Sequence, residues 1–293
     1  MNLNFQNFYK KFPYLDIQEC IEYFSIFDGH PFIDKIVFSN NLNQAIQQEI
    51  IDKIDLLKKY FIYSVDSKEQ ILIQKILTRV SKGDRKNYTI YNKEKISQIK
   101  GGELFGYLFK QNIITKEKSR EKPLKRTKKQ PLKKALRRYK IQDKIHINSN
   151  FTRFWFTFIS PSLEADKEIS IASIEPFLEK YISLEFEKLS NQLLLKKFEF
   201  EKILSYGSYW DIDVEIDLLL KTTNQTIVGE AKWRNSKICK NILNSLQNKC
   251  KIADLNADRF ALFSKSGFSK ELKSAKISNI DLYELNDFKV LFS

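Results

Sequence analysis

Two short runs of alternating residues, joined by a polar turn, constrain this 293-residue chain more than any other feature. In the first run, which ends at Leu218, apolar residues alternate with acids, and in the second Glu230 and Lys232 are two residues apart. The four acids are Asp211, Asp213, Glu215 and Asp217. A period of two places alternate side chains on one face of a β-strand. With residues 221–225 as the turn, the sequence predicts a two-stranded hairpin with Asp217 beside Glu230 and Lys232 on its polar face.

This polar face has the composition of a metal-dependent hydrolytic site. Two carboxylates on neighbouring strands can hold a hard cation such as Mg²⁺ or Mn²⁺, and we expect Asp217 and Glu230 to do so, with the Ala231 carbonyl as a further ligand. Such a cation polarises a phosphodiester and lowers the pKa of a bound water. Lys232 can orient that water, assist its deprotonation or stabilise charge on phosphorus. The alternative is an exposed strand face with ordinary surface charges.

The rest of the composition excludes other chemistry. The chain has two histidines, His30 and His146, so a His-rich metal centre is excluded and a Ser/His/Asp or Cys/His hydrolase has little to work with. Its three cysteines lack CxxC spacing, so neither a disulfide framework nor a zinc site is indicated. No long apolar run and no signal peptide are present, and we expect a cytoplasmic protein without membrane association.

Basic residues are concentrated in residues 116–140, which contain thirteen Lys and Arg against two Glu. This segment therefore carries a net +11 of the chain's formal +14. Such a segment indicates salt-dependent, sequence-independent contact with nucleic acid, and a solvated linker is the alternative. The residues expected to contact nucleic acid are Lys125, Arg126, Lys128, Lys129, Lys133, Lys134, Arg137 and Arg138.

The C-terminal half resembles a known family. Asp217 followed by Glu230-x-Lys232 resembles the PD-(D/E)xK nuclease motif, and four longer stretches agree with it. They are NFTRFWFTFISP, WDIDVEIDLL, GEAKWRN and FSKSGF, in that order. Together they resemble the C-terminal nuclease-fold domain attached to many prokaryotic, especially archaeal, AAA+-type ATPases. The resemblance covers roughly residues 146–293, half the chain.

The resemblance implies a restriction-endonuclease-like core, in which a mixed sheet is flanked by helices. It implies that Glu187, on a helix expected over residues 174–195, turns towards the metal and joins the three motif residues as a catalytic group. Glu185 is the weaker choice on the same helix. The resemblance also places a lysine on the helix after the hairpin, so Lys249 is expected to steady a phosphate. A solvated helix face is the alternative reading of Lys249.

Two further domains are expected before the nuclease-like domain at residues 146–293. Residues 1–64 have helical periodicity, including one helix over residues 43–60, and resemble the helical lid of the same ATPase family. Residues 65–145 have the layout of a winged helix, with residues 116–140 as a long basic wing. Its expected helices cover residues 70–80, 92–99 and 103–111, and its expected wing strands cover residues 112–115 and 138–141. The predicted fold class is α/β of the α+β kind.

The chain contains no GxxxxGK[ST] sequence, so we expect no nucleotide cofactor and no nucleotide hydrolysis. This predicts either a free-standing C-terminal half or a protein that works beside a separate ATPase. The leading hypothesis is a Mg²⁺- or Mn²⁺-dependent DNA endonuclease with low sequence specificity. A homodimer is a further expectation, because nucleases that cut both strands often dimerise. The alternative is a non-catalytic nucleic-acid-binding or regulatory adaptor, which would not need the Asp217, Glu230 and Lys232 set.

Overall fold

The computed structural model describes residues 4–38, 41–84, 86–120, 141–274 and 279–292. These residues form helices, a five-stranded mixed sheet and a two-stranded antiparallel sheet, which confirms the predicted α+β class. The chain divides into two compact units. The first contains Met1–Glu117, Asp143–Ile182 and Phe292, and the second contains Lys118–Gln142 and Ser183–Leu291. The division into three domains stays a prediction.

Helices make up most of the first unit. Its N-terminal helices are α1 (Phe5–Lys11), α2 (Ile17–Phe27), α3 (Leu42–Ile46) and α4 (Ile54–Leu57). They are followed by α5 (Ser67–Ser81), α6 (Asn87–Glu94), α7 (Gln98–Lys110), strands β1 (Ile114–Glu117) and β2 (Lys144–Ile147), α8 (Asn150–Phe154) and α9 (Ser160–Glu164). The long helix α10 (Ile171–Lys197) begins in this unit and ends in the second.

Aromatic packing and helix capping hold the first unit together. Asp16 and Glu19 form a reciprocal capping box at the start of α2, which satisfies main-chain N–H groups that have no partner within the helix. The aromatic stretch after Ser149 is buried, and Trp155 stacks on Phe61 with 4.4 Å between ring centroids. The single helix expected over residues 43–60 is wrong, because a π-helical turn follows α3 and separates it from α4.

The helices before β1 differ from their predicted positions. The second helix ends at Glu94 rather than running to residue 99, because Lys95 adopts left-handed backbone geometry (φ 54°). The third helix begins at Gln98 and continues through the two glycines that were expected to precede it. A Cβ on Gly101 would clash with the Tyr91 ring, so this glycine permits close packing of α6 and α7 instead of ending a helix.

The two strands of the small sheet also differ from the prediction. β1 begins at Ile114, two residues after the expected start, because Asn112 (φ 54°) still belongs to the turn that ends α7. Its partner is β2, in which Lys144 pairs with Glu117, rather than a strand over residues 138–141. Ile141 is outside β2, and residues 138–140 lie outside the described residues.

His30 is buried in the first unit in a neutral form. Its Nδ1 accepts a hydrogen bond from the Phe32 main-chain N–H (3.1 Å), so the proton lies on Nε2 and is donated to the Glu49 carbonyl (3.2 Å). The ring packs edge-on against Phe151. The pKa of His30 is lowered to about 4, mainly by burial and also by the positive charge of Lys53, although the bond to Glu49 opposes the shift. His30 is therefore a packing residue of the first unit.

We expect acid to destabilise the protein through His30. Between pH 6.5 and about 4 the unfolded chain binds this proton and the folded chain does not, so the contribution of His30 to the free energy of unfolding falls as pH falls through that window. The loss attributable to His30 is about 3 kcal/mol. This loss is measured by urea unfolding at pH 7, 5.5 and 4, which gives the free energy of unfolding at each pH. A His30→Gln variant should lose this contribution, so its free energy of unfolding should fall less between pH 7 and pH 4 than that of wild type; the same pH dependence in both proteins would contradict this assignment.

The second unit is built on the five-stranded sheet. Its strands are β3 (Ile203–Trp210), β4 (Glu215–Thr222), β5 (Thr226–Lys232), β6 (Arg259–Ser264) and β7 (Ile280–Glu284), in that spatial order. β3, β4 and β5 are antiparallel, whereas β5, β6 and β7 are parallel. Parallel neighbours need crossover connections, and α11 (Lys240–Ile252) and α12 (Lys270–Ser274) lie in these two connections.

Apolar side chains of the sheet and of α11 form the core of the second unit. Leu243 and Leu246 of α11 pack in a buried cluster with Val228 and Leu262. β5 lies so close to its neighbours that a Cβ on Gly229 would be 3.0 Å from the Ala261 carbonyl oxygen. The central strand is therefore fixed on both sides, which fixes the residues at its carboxyl end.

The alternation before Asp217 is shorter than the sequence suggested. The strand begins at Glu215, and the preceding residues form a turn in which Asp211 Oδ1 accepts the N–H groups of Asp213 (2.7 Å) and Val214 (2.8 Å). Asp and Asn favour such side-chain-capped turns. The expectation of four acids on one strand face is therefore wrong. The hairpin also has an additional neighbour, β3, which the sequence did not reveal.

No helix in the described part of the chain is both long enough and apolar enough to cross a membrane.

Candidate active site

The three motif residues meet at the end of the β4–β5 hairpin. Leu218 pairs with Gly229, so Asp217 and Glu230 occupy the next opposed positions of the two strands. The Ala231 N–H donates to Asp217 Oδ2 (3.1 Å), which holds this carboxylate against β5. Glu230 and Lys232 lie on the same face because strand side chains alternate. The geometry thus brings together the residues that the sequence predicted to be neighbours.

Two lysines neutralise Glu230. Lys232 Nζ lies 2.7 Å from Glu230 Oε1 and 3.9 Å from Asp217 Oδ2. Lys249, from α11, donates to both oxygens of Glu230 at 2.9 and 3.2 Å. The Glu230 side chain is only 9% exposed, and a carboxylate this buried requires such partners. The site is therefore a compact network of alternating charges.

Burial and neighbouring charges shift the pKa values in this network. Burial raises the pKa of Asp217 to about 6, and the negative charge of Glu230 raises it as well, while Lys232, the Ala231 N–H and Lys249 oppose the shift. Burial lowers the pKa of Lys232, but its carboxylate neighbours outweigh burial and the pKa is raised overall. Two carboxylates that disfavour each other's charge in a sheltered position are the arrangement that a divalent cation stabilises.

The long helix α10 contributes to the same cluster. The negative charge of Glu187 is among the influences that raise the pKa of Lys232, which puts its carboxylate near the ammonium group. Asn191, one turn later, donates through Nδ2 to the main-chain oxygens of Glu187 (3.2 Å) and Asp217 (3.4 Å). Glu185 is buried elsewhere on the helix and pairs with Lys188 at 2.8 Å. Glu187 is thus the α10 acid whose charge acts on this network.

The donor atoms fit a hard cation of the Mg²⁺ kind. Asp217 and Glu230 would supply carboxylate oxygens, and Ala231, which follows Glu230 on β5, would supply a main-chain carbonyl. Mg²⁺ is typically held by one or two carboxylates, with water and substrate phosphate completing its shell. Within the described ranges, no group of three or more His, Cys, Asp or Glu side chains is arranged to hold a metal ion. The fit is therefore to a two-carboxylate site and not to a cage built from protein side chains.

The basic residues predicted to contact nucleic acid lie outside the described residues. They are Lys125, Arg126, Lys128, Lys129, Lys133, Lys134, Arg137 and Arg138. The chain on either side of them is bound to β3: Ser119 Oγ accepts the Trp210 main-chain N–H (3.0 Å), and the Trp210 indole N–H donates to the Gln142 carbonyl (3.1 Å). Arg120 also contacts the Tyr206 and Ser208 carbonyls. The described residues on either side of positions 121–140 thus attach to the edge strand of the sheet that carries the candidate site.

Sequence reasoning missed two contacts of the site. Lys249 was expected to meet a phosphate, whereas it also binds Glu230 directly. Asn191 was not considered, although its position four residues after Glu187 places it on the same helix face. The four-residue spacing of Glu187 and Asn191 could have identified Asn191 from the sequence. The contact of Lys249 with Glu230 could not have been identified in this way, because it depends on how α11 packs on the sheet.

Comparisons with known proteins give similarity without a function. The domain family DUF234, described as archaeal and bacterial proteins of unknown function, matches residues 155–243. The chain is also similar to the uncharacterized protein MJECL04 of Methanocaldococcus jannaschii, with 27% identity over 303 aligned residues that cover 98% of this chain. It spans 64% of the length of that relative. No solved structure matches the chain.

Proposed function

We propose that this protein is a metal-dependent endonuclease that hydrolyses phosphodiester bonds in DNA with low sequence specificity. The observation that carries the proposal is the meeting of Asp217, Glu230 and Lys232 at one end of the β4–β5 hairpin. One Lys–Glu ion pair needs a single carboxylate, whereas two carboxylates that repel each other offer a divalent cation two oxygen donors. A Mg²⁺ or Mn²⁺ ion bound there would polarise the phosphodiester and supply an acidified water.

The residues of the chain have separate roles in this proposal. Asp217 and Glu230 hold the cation, and the Ala231 N–H fixes the orientation of Asp217. The Lys232 ammonium, 2.7 Å from Glu230, stabilises the charge that develops on the phosphate or orients the attacking water. Lys249 holds Glu230 and offers a second positive charge to a phosphate. Glu187 supplies a third negative charge near Lys232.

The charge distribution supports nucleic acid as the substrate. The segment between Arg120 and Ile141 contains most of the chain's excess positive charge and is bound at both ends to β3. A polycation there would contact phosphates without reading bases, which favours low sequence specificity. DNA, a separate ATPase partner, a homodimer and a cytoplasmic location belong to the same proposal. The region that resembles a winged helix would add a second nucleic-acid or protein contact.

One observation favours a second candidate function. Lys232 and Lys249 already neutralise Glu230, so the charge network is stable without a metal ion. A non-catalytic nucleic-acid-binding adaptor, docked to a separate ATPase, would retain such a network for folding alone. The two candidates differ in whether the protein binds a divalent cation at Asp217.

Thermal unfolding with and without metal separates them. If Asp217 binds Mg²⁺ or Mn²⁺, a concentration near 100 times Kd stabilises the folded state by about 2.7 kcal/mol, and Tm rises by several degrees. We expect Asp217→Asn to remove this rise. The neutral variant should fold, because burial and the negative charge of Glu230 already raise the pKa of Asp217 and so disfavour its charged form. Asp213→Asn, in the exposed turn before the same strand, is the matched control and should respond as wild type does. A wild-type Tm that metal does not change would favour the adaptor.

A further inference from the structure

A basic cavity lies at the carboxyl ends of β6 and β7, within the second unit. Its volume is about 360 Å³. The lining residues that concern us are Lys237, Lys265, Ser266, Gly267, Lys273 and Glu284. None of them belongs to the Asp217, Glu230 and Lys232 set, and none was singled out from the sequence for a function of its own.

Strand register connects the cavity to the candidate active site. Lys232 pairs with Ser264, and Ser264 pairs with Glu284, so the three strand ends lie side by side. Neighbouring strands are about 4.8 Å apart, which puts the cavity roughly 5–10 Å from the Lys232 backbone. The Lys265 N–H donates to the Lys232 carbonyl (3.1 Å). The Lys265 ammonium lies over the Trp233 ring, 4.8 Å from its centroid.

The cavity has an excess of positive charge. Lys273 and Glu284 form an ion pair at 2.6 Å and offset each other. Lys237 and Lys265 add two further positive charges at its rim. Lysine binds phosphate as a point charge and does not need the planar geometry of arginine. The cavity therefore suits an anion with a compact, high charge density.

Gly267 keeps the cavity open. Its φ of +76° lies in the left-handed region that favours glycine, and a Cβ there would be 3.1 Å from Glu284 Oε1. Any side chain at this position would thus press on the Lys273–Glu284 pair and occupy the space in front of it. Two hydrogen bonds fix the loop of residues 265–268. Ser264 Oγ donates to the Gly267 carbonyl, and Ser266 Oγ donates to the Arg234 carbonyl. A rigid loop with room for an anion is a pre-organised binding site.

We propose that this cavity binds a phosphate group of the nucleic-acid strand that enters the candidate active site, an inference that rests on the function proposed above. A separation of roughly 5–10 Å is about the distance between successive phosphates along one strand, so this phosphate lies about one nucleotide from the scissile bond. Lys237 and Lys265 are the phosphate-binding residues. Their role is to fix the position of the strand relative to Lys232, which sets where the strand is cut. The phosphate is either an internal backbone phosphate or a 5′-terminal one.

The test is the binding of a fluorescent DNA duplex by the full chain in EDTA, measured across a range of salt concentrations. We expect the double variant Lys237→Gln/Lys265→Gln to bind several-fold more weakly and the slope of log K against log salt to fall by about 1–2. Lys251→Gln/Lys270→Gln, which removes two exposed charges of the same unit outside the cavity, is the matched control and should bind nearly as wild type. Lys237→Arg/Lys265→Arg should restore both the affinity and the slope.

Duplexes with and without 5′-phosphates identify the source of the phosphate. If the double variant loses affinity only for the 5′-phosphorylated duplex, the cavity binds the phosphate at a strand end. If it loses affinity equally for both duplexes, the cavity binds an internal backbone phosphate. Cleavage in Mn²⁺ is measured on the same proteins. If wild type cuts DNA and the double variant binds with an unchanged slope, the cavity assignment alone is overturned. If wild type neither binds nor cuts DNA, the proposed function fails and the cavity assignment fails with it.

Discussion

Replacement of Lys232 by methionine is expected to lower the rate of DNA cleavage roughly 10²- to 10³-fold. Methionine keeps the length and apolar stem of the side chain and removes the ammonium group, which lies 2.7 Å from Glu230 and 3.9 Å from Asp217. The variant should remain folded, because Lys249 still pairs with both oxygens of Glu230. DNA affinity should change little, since most of the excess positive charge lies in residues 116–140.

Conversion of supercoiled plasmid to nicked and linear forms in Mg²⁺ or Mn²⁺ measures this rate, and a gel-shift assay in EDTA measures binding. Lys251→Met, on the exposed side of α11, is the control for a lost positive charge and should cut as wild type does. Equal rates for all three proteins would rule out a catalytic role for Lys232. Salt-dependent binding by all three without cleavage by any of them would leave the adaptor as the better description.

Replacement of Phe186 by alanine is expected to lower the free energy of unfolding of the second unit by about 3–5 kcal/mol. Phe186 is fully buried on α10, and its ring centroid lies 5.1 Å from that of Trp233 and 5.0 Å from that of Phe288. Truncation would leave a cavity where three aromatic rings meet, and the neighbouring rings cannot fill it without moving. Trp233 directly follows Lys232, so its displacement should also move Lys232. We therefore expect the variant to lose DNA-cleavage activity at urea concentrations too low to unfold it.

Urea unfolding followed by tryptophan fluorescence measures this destabilisation. Phe200→Ala is the matched control, because Phe200 lies in the same unit but is 96% exposed. Its replacement should change the free energy of unfolding by less than about 1 kcal/mol. If the two variants unfold at the same urea concentration, the packing of α10 against Trp233 and Phe288 does not stabilise this unit.

The hairpin at the centre of the site could be predicted from sequence because its determinants are local. Alternation over Ile216 to Leu218 and the turn near Asn224 fix which residues of β4 and β5 face each other, and both are visible in the chain. The same reasoning extended the strand too far towards Asp211. There the carboxylate bonds its own following N–H groups, which gives the backbone an alternative to the strand.

Other features of the fold and of the site depend on tertiary packing, which short sequence patterns do not predict. β3 alternates only weakly: Leu204 and Tyr206 are exposed, and Gly207 interrupts the apolar sequence. Its strand character comes from pairing with β4, with two register irregularities, and pairing is a tertiary property. The contact between Lys249 and Glu230 likewise needs α11 to cross the sheet at one particular angle. The start of α7 was predicted too late because the sequence does not distinguish a glycine that makes room for a neighbouring ring, as Gly101 does, from a glycine at a helix end.

The change from antiparallel to parallel pairing at β5 has a consequence for the order of folding. Asp217 and Glu230 are joined by a hairpin with a three-residue turn, and such hairpins form in about 1–10 μs. The cavity beyond Lys232 requires β6 and β7, whose parallel pairing closes much longer loops and is intrinsically slower. The acidic pair would therefore assemble early from local sequence, whereas the phosphate cavity would be completed only when both crossovers have docked.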